Sequence, residues 1–245
     1  MRQRQDILGI MTTKPSFEPA AEVSIRRAAS VLLLREADTG FEVFIQHRVS
    51  TMDFAAGMVV YPGGRVDPQD AELVSSGAFD AQLLTEQAQR WSHCTVWDAG
   101  EQQASFRAGE MLAAARREVF EETGLLLDAE QLRPWANWVT PLGYPKRFDT
   151  YFFIAVLREG QEPRHQTTEA AISNWIHPEA LFAALRRKEI KMMRPTQRTL
   201  LDAVELGSIA ALRNFDGEII PVHPTGKDTT TSTPVLDTEL RPRHN

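Results

Sequence analysis

A continuous apolar run at residues 29–35, centred on Val31-Leu32-Leu33-Leu34, is followed by Phe41–Arg48, where Phe41, Val43 and Ile45 alternate with Glu42 and Gln46. Separated by Asp38-Thr39-Gly40, the two segments read as paired strands. Residues 57–61 read as a third short strand, ended by Pro62-Gly63-Gly64, which is expected to continue as neither strand nor helix. Residues 65–109 are more polar, with a helix expected around 78–91 and Trp91 and Trp97 as its packing anchors. Strong helix formers then fill 108–123, and Gly124 stands where a C-terminal cap belongs. Aromatic and branched residues mark 135–140 and 150–157 as strands. Helices follow at 177–188, begun by Pro178, and at 196–206. Strands on both sides of one central helix, with more helices late in the chain, predict an α+β layer pattern rather than a doubly wound one.

Composition narrows the function classes. Residues 1–24 read as a flexible arm and 224–245, rich in Thr, Pro and Asp, as a disordered tail, leaving one domain at 25–223. A net charge of −6 argues against broad nucleic-acid binding, which needs a basic face, but leaves room for a nucleotide in a cleft where a metal reverses the local sign. The single cysteine, Cys94, excludes an internal disulfide and a cysteine-rich zinc site, so a reducing, cytoplasmic setting is the default expectation. The first residues lack the apolar core of a signal peptide, and no apolar run reaches the roughly 20 residues of a membrane span.

The segment Arg116-Arg117-Glu118-Val119-Phe120-Glu121-Glu122-Thr123-Gly124-Leu125 carries the candidate chemistry. On a helix turning about 100° per residue, Glu118 and Glu122 lie roughly 40° apart and Glu121 about 60° to the other side, so the three carboxylates share one face. Val119 and Phe120 are expected to point into a core. Like charges at these spacings repel. A hard divalent cation such as Mg²⁺ would offset the repulsion, and a solvated acidic helix face is the bland alternative.

Arg117-Glu118-Val119-Phe120-Glu121-Glu122-Thr123-Gly124-Leu125 resembles the second half of the Nudix box, R-E-U-x-E-E-x-G-U with U aliphatic, and matches every fixed position. The resemblance implies a mixed sheet between helices, Mg²⁺ or Mn²⁺ as cofactor, and attack of water on a nucleoside diphosphate linked to another moiety. By the same match Glu118, Glu121 and Glu122 would be metal ligands, with the carbonyl of Gly63 as a further one and Gly64 permitting a tight turn. Arg117 would hold the acidic face by ion pairing. Glu118 is one candidate general base. Glu169, six residues before Trp175, resembles a late-loop glutamate that could be ligand or base, or a solvated carboxylate.

The first half of the box is interrupted: the 45 residues Arg65 to Gly109 stand between Gly64 and Glu110 where the family has five. Glu110 also precedes Arg117 by six intervening residues rather than seven. A box broken after Pro-Gly-Gly resembles the family branch that includes mitochondrial and peroxisomal coenzyme A diphosphatases and bacterial relatives. Of that branch's second signature the chain keeps Arg48, Gly57 and Pro62-Gly63-Gly64, with Tyr61 for Phe, but has Gln46, Val49 and Asp53 at other expected positions.

Coenzyme A or acyl-coenzyme A is therefore the leading substrate expectation. Other nucleotide conjugates (NADH, ADP-ribose, capped RNA) and a non-catalytic nucleotide sensor are the alternatives. Arg48, Arg147 and Phe148 are the candidate substrate contacts, with a turn charge and a strand start as the alternative for the last two. The basic residues Arg186, Arg187, Lys188, Lys191, Arg194 and Arg198 read as a phosphate contact or a solvated face. His47, His93 and Cys94 read as structural. The insertion at 65–109 is expected to cover one rim of the cleft, and a homodimer is compatible with the chain.

Overall fold

The computed structural model describes residues 23–49, 57–224 and 230–231. The expected arm up to residue 22, Asp53, Phe54-Ala55-Ala56 and most of the expected tail lie outside the described residues.

Strands β1 (Ile25–Glu36) and β2 (Phe41–Arg48) pair antiparallel, with Leu34 opposite Val43. Only the end of β1 is used in this pairing. The same edge of β1 therefore has room for another strand, and Gly63–Arg65 takes it. After the short β3 (Val59–Val60), β4 (Gly63–Arg65) places Gly63 opposite Ser30 and Gly64 opposite Ala29. This corrects the expectation that the Pro-Gly-Gly segment could not continue as strand. The reason is steric: a side chain on Gly63 would begin 2.4 Å from the Ala29 carbonyl oxygen, so glycine lets the backbones close up. Pro62 has no N–H to give the ladder, but its carbonyl accepts from Val31 N–H at 2.8 Å.

The chain continues through α1 (Pro68–Ser75), α2 (Ala81–Arg90), a 3-10 turn at Thr95–Trp97 and the long α3 (Glu101–Thr123). β5 (Arg133–Val139) and β6 (Arg147–Val156) come next, then β7 (Ala170–Ile176), α4 (Pro178–Arg186), β8 (Met192–Met193), α5 (Arg194–Leu206), α6 (Ile209–Arg213) and β9 (Thr230–Thr231). Strand order is β5-β6-β1-β2-β3-β8-β9, with β4 joined to β1 and β7 to β2. β6 runs parallel to β1 from Ile25 opposite Arg147 to Leu34 opposite Val156, so the sheet is mixed.

Both faces of this sheet are covered, which is why β1 reads as an unbroken apolar run. Ala29, Val31 and Leu33 enter one core with Tyr151 and Phe153 of β6 and the inner face of α3. Leu32 and Leu34 enter the other with Phe152 and Ile154, against α4, α5 and α6. The layers are thus helix, sheet, helix, in an α+β fold.

Helix α3 begins at Glu101, seven residues before the predicted start, because Ala104 and Ala108 extend its buried stripe toward the N-terminus. Phe120 departs from expectation in the opposite sense, lying 51% exposed while Val119 is buried. The stripe reaches the core through Val119, and the next position, about 100° further round, faces out.

The insertion packs along α3. Trp91 is fully buried, edge-on to Tyr151 at 5.0 Å and to Phe153 at 5.5 Å between ring centroids. Trp97 is half-buried and gives its indole N–H to the Ala88 carbonyl at 2.8 Å. Gly109 lets α1 come close, since a side chain there would start 3.0 Å from both methyl groups of Val74. Among the described residues no helix is long and apolar enough to cross a membrane.

Candidate active site

The acidic helix face and the Pro-Gly-Gly segment meet. β4 lies against the C-terminal half of α3, where the Gly63 N–H donates to Glu122 Oε2 at 3.2 Å. Beside it the Glu118 carboxylate occupies the space over Gly64, and a side chain on Gly64 would begin 2.3 Å from Glu118 Oε1. α3 ends just beyond, with Gly124 left-handed at φ 70° and its N–H returned to the Phe120 carbonyl at 2.8 Å.

The three glutamates differ in environment. Glu122 and Glu118 have only 6% and 14% of their residue and side-chain surface exposed, whereas the Glu121 side chain is 52% exposed. Burial pushes the Glu122 carboxyl up to about 8, and neighbouring Glu118 adds to the rise; the Gly63 N–H and Arg48 oppose it. Burial also raises Glu118, against the pull of Arg117. A buried and a half-buried carboxylate that resist ionisation side by side, in an all-oxygen setting, form a donor set that suits a hard divalent ion. Among the described residues no group of three His, Cys, Asp or Glu side chains encloses an ion as it stands. Glu118 and Glu121 are instead drawn toward Arg117, at 2.8 and 3.2 Å from its Nη1.

Arg117 is the hub of the site. Its Nε and Nη2 donate to the two oxygens of Asp70, both at 2.9 Å, and Nη2 also donates to the Arg65 carbonyl at 2.8 Å. These bonds hold the guanidinium proton more tightly than usual. Glu110 does not take this place. It lies 3.5 Å from Arg27 of β1, because seven residues of helix carry it about 10 Å along the axis from Arg117. Asp70 was missed by sequence reasoning, although Asp67-Pro68-Gln69-Asp70 is a helix-start signature that could have located α1. Asp70 also stands with five residues between it and Gly64, the spacing at which the box carries its first glutamate.

The remaining candidates divide. Arg48, at the end of β2, donates to Glu169 Oε2 at 2.9 Å, and Val49 N–H donates to the Glu169 carbonyl at 3.0 Å. Arg48 pulls the Glu122 carboxyl down and Glu169 pushes it up, and the segment leading to Glu169 meets the end of α3, where the Gln166 N–H donates to the Glu122 carbonyl at 3.2 Å. Arg147 and Phe148 stand at the start of β6, opposite Ile25 and Arg26. Arg147 is buried there and gives its Nε–H to the Thr140 carbonyl at 3.1 Å; the Phe148 N–H donates to Thr140 Oγ1 at 3.0 Å. Arg198 leaves the basic run altogether, buried in α5 against Asp202. Cys94 is buried and His93 pairs with Glu218.

The family model for the NUDIX domain matches residues 79–202, just over half of the chain. The chain belongs to the Nudix family. The match starts inside the insertion, so it covers the glutamate half of the Nudix box and leaves Gly63 and Gly64 outside. A Caenorhabditis elegans protein carrying the name nudix hydrolase 7 is 28% identical over 156 residues, 63% of this chain and 52% of that protein. The chain thus spans about half the length of that relative. The crystal structure of a NUDIX hydrolase from Alicyclobacillus acidocaldarius aligns with a TM-score of 0.61 at 24% identity, covering 82% of this chain and 99% of the other. That likeness carries the fold over 82% of this chain.

Proposed function

We propose that this Nudix protein hydrolyses a diphosphate linkage in a nucleoside diphosphate conjugate with Mg²⁺ or Mn²⁺, and that coenzyme A or acyl-coenzyme A is its substrate. The observation that carries the reading is the packing of Gly63 and Gly64 onto Glu122 and Glu118, which rejoins across 45 intervening residues the two halves of an interrupted box.

Glu118, Glu121 and Glu122, with the Gly63 carbonyl, would hold the ion. The chemistry it supplies when bound is Lewis acidity, neutralising charge on the diphosphate and making a water more acidic. The protein's own groups do the positioning. Arg117 tethers Glu118 and Glu121. The bare α-carbon of Gly64 leaves room for the Glu118 carboxylate, which would accept a proton from water. Glu169, held by Arg48 at 2.9 Å, is the second candidate base. The coenzyme A assignment rests on Arg48, Gly57 and Pro62-Gly63-Gly64 keeping the branch frame, with Tyr61 in place of its Phe.

A screen of coenzyme A, acyl-coenzyme A, NADH, ADP-ribose and capped RNA with Mg²⁺ and Mn²⁺, read by product mass, tests this. Metal-dependent turnover that prefers the coenzyme A compounds and vanishes in Glu121→Gln and Glu122→Gln supports it. Preference for another conjugate replaces the substrate, and binding without turnover makes the protein a sensor.

A further inference from the structure

We propose that Gln46 is a substrate-binding residue whose side-chain amide, together with the Nε of Arg48, donates to phosphate oxygens of the conjugate. The inference deepens the reading of this site as a diphosphate hydrolase and rests on it. Gln46 is one of the positions at which the chain departs from the signature of the coenzyme A branch.

The face that Gln46 occupies follows from alternation along β2. Phe41, Val43 and Ile45 enter the core against α4 and α5, whereas Phe44 enters the one against α3. Gln46 and Arg48 therefore share the α3 side with Phe44. β2 is flanked by the two strands that lead to the candidate site. Gln46 stands opposite Val60 of β3, three residues before Gly63, and opposite Ser173 of β7, four residues after Glu169. Arg48 is held to Glu169 and is close enough to Glu122 to pull its carboxyl down.

The amide lacks a partner in this position. Gln46 is 2% exposed, and its Nε2 has no hydrogen-bond acceptor among the described residues. The hydroxyl directly across the ladder, on Ser173, is engaged with His165 Nδ1 at 3.0 Å. Arg48 repeats the pattern: its Nη2 reaches Glu169 at 2.9 Å, while its Nε is buried and unpaired. Buried polar groups almost always find partners, and leaving a donor without one costs stability. Two such donors on one face of one strand, about 7 Å apart along it, mark a place kept for an acceptor.

The ladder is also irregular here. His47 pairs with Ile172 but Arg48 with Ala170, so β7 carries an extra residue, Ala171, beside Arg48. A bulge of this kind re-aims the side chains next to it. A guanidinium N–H and an amide N–H call for an oxygen acceptor that carries negative charge, and the phosphates of the conjugate supply it. Glu169, whose side chain is half-exposed, is the group that an entering phosphate would displace from Arg48.

The test uses the full chain, with ADP binding by calorimetry, kcat and KM on the conjugate turned over best, and the melting temperature. Gln46→Met keeps the length of the side chain and removes both N–H groups. It is expected to melt at or above the native temperature, since an unpaired amide leaves the interior. It should nevertheless bind ADP on the order of tenfold more weakly and raise KM about as much, with kcat little changed. Gln46→Glu sets a carboxylate against the phosphate and should lose more; if it does not fold, Gln46→Met decides alone. Gln87→Met serves as comparison, because it removes a buried amide of the insertion that bonds the Leu132 carbonyl. It should melt lower and keep the native KM. Native ADP affinity and KM in Gln46→Met, or an equal rise of KM in Gln87→Met, overturns the proposal and leaves the diphosphatase reading standing. A native chain that neither binds ADP nor hydrolyses any conjugate overturns that reading and the proposal with it, an outcome visible before any variant is made.

Discussion

Gly64→Ala isolates the close approach on which the active-site reading depends. The added methyl group would begin 2.3 Å from Oε1, 2.5 Å from Cδ and 2.7 Å from Oε2 of Glu118. Ordinary contact is about 3.5 Å or more, so the carboxylate must retreat by roughly 1 Å. Gly64 is not among the glycines with positive φ, so alanine adds no backbone strain there. What gives way is the end of a side chain, and the main structural loss is its bond to Arg117, worth about 1 kcal/mol at this half-open position. A displacement of about 1 Å at a reacting centre costs on the order of 100-fold in rate. The variant should therefore melt within a few degrees of the native protein and lose about two orders of magnitude in kcat. Thermal denaturation and steady-state hydrolysis of the best conjugate, run side by side, measure both. Native kcat in a folded Gly64→Ala protein refutes the assignment of Glu118 to the reaction.

Other outcomes follow from the same geometry. Gly63→Ala behaves differently from its neighbour, because its methyl would meet the Ala29 carbonyl at 2.4 Å and Ser30 Cα at 2.7 Å, both backbone that cannot rotate aside. It should lose about 1–3 kcal/mol or more of stability by denaturant titration, whereas Gly64→Ala loses activity first. Arg198→Met leaves Asp202 buried without its cation and should cost about 3–5 kcal/mol, a drop of roughly 10 °C in melting temperature. The Asp202 carboxyl is pushed up to about 6 by burial, against the pull of Arg198. The folded state thus holds this proton more tightly than the unfolded one, and the stability it contributes declines as pH rises from 3.8 to about 6. Asp202→Asn should flatten that part of the pH–stability curve; an unchanged curve would remove Asp202 as its source. Saturating Mg²⁺, at 100 times its dissociation constant, should stabilise the native chain by about 2.7 kcal/mol and leave Glu122→Gln unaffected. A melting temperature indifferent to Mg²⁺ would count against the ion site.

The longer helices and strands and the shared face of the three glutamates were legible in the chain because each depends on neighbours in sequence. Spacing of three and four residues along one helix puts Glu118, Glu121 and Glu122 on a shared face whatever surrounds it, and β2 was readable from Phe41 to Arg48 from alternation and its flanking turn. β7 was not recognised, since Ala170–Ile176 is half-exposed and becomes a strand by pairing with β2 at a distance. α6 is a five-residue helix too short to announce itself. The outward turn of Phe120 also lay beyond local pattern, because an apolar residue beside Val119 satisfies the same helix propensity whether it faces core or solvent.

What only the tertiary structure decided is which distant segments share a position. The parallel pairing of β6 with β1 and the entry of β4 beside β1 bring Gly63 and Gly64 onto α3, and the folding of α1 against α3 delivers Asp70 to Arg117. Local sequence encodes torsion preference and the periodicity of apolar faces, and these identify the acidic helix. Contacts between residues tens of positions apart depend on how whole layers pack to bury both faces of the sheet, so the meeting of these segments became visible only in the folded chain.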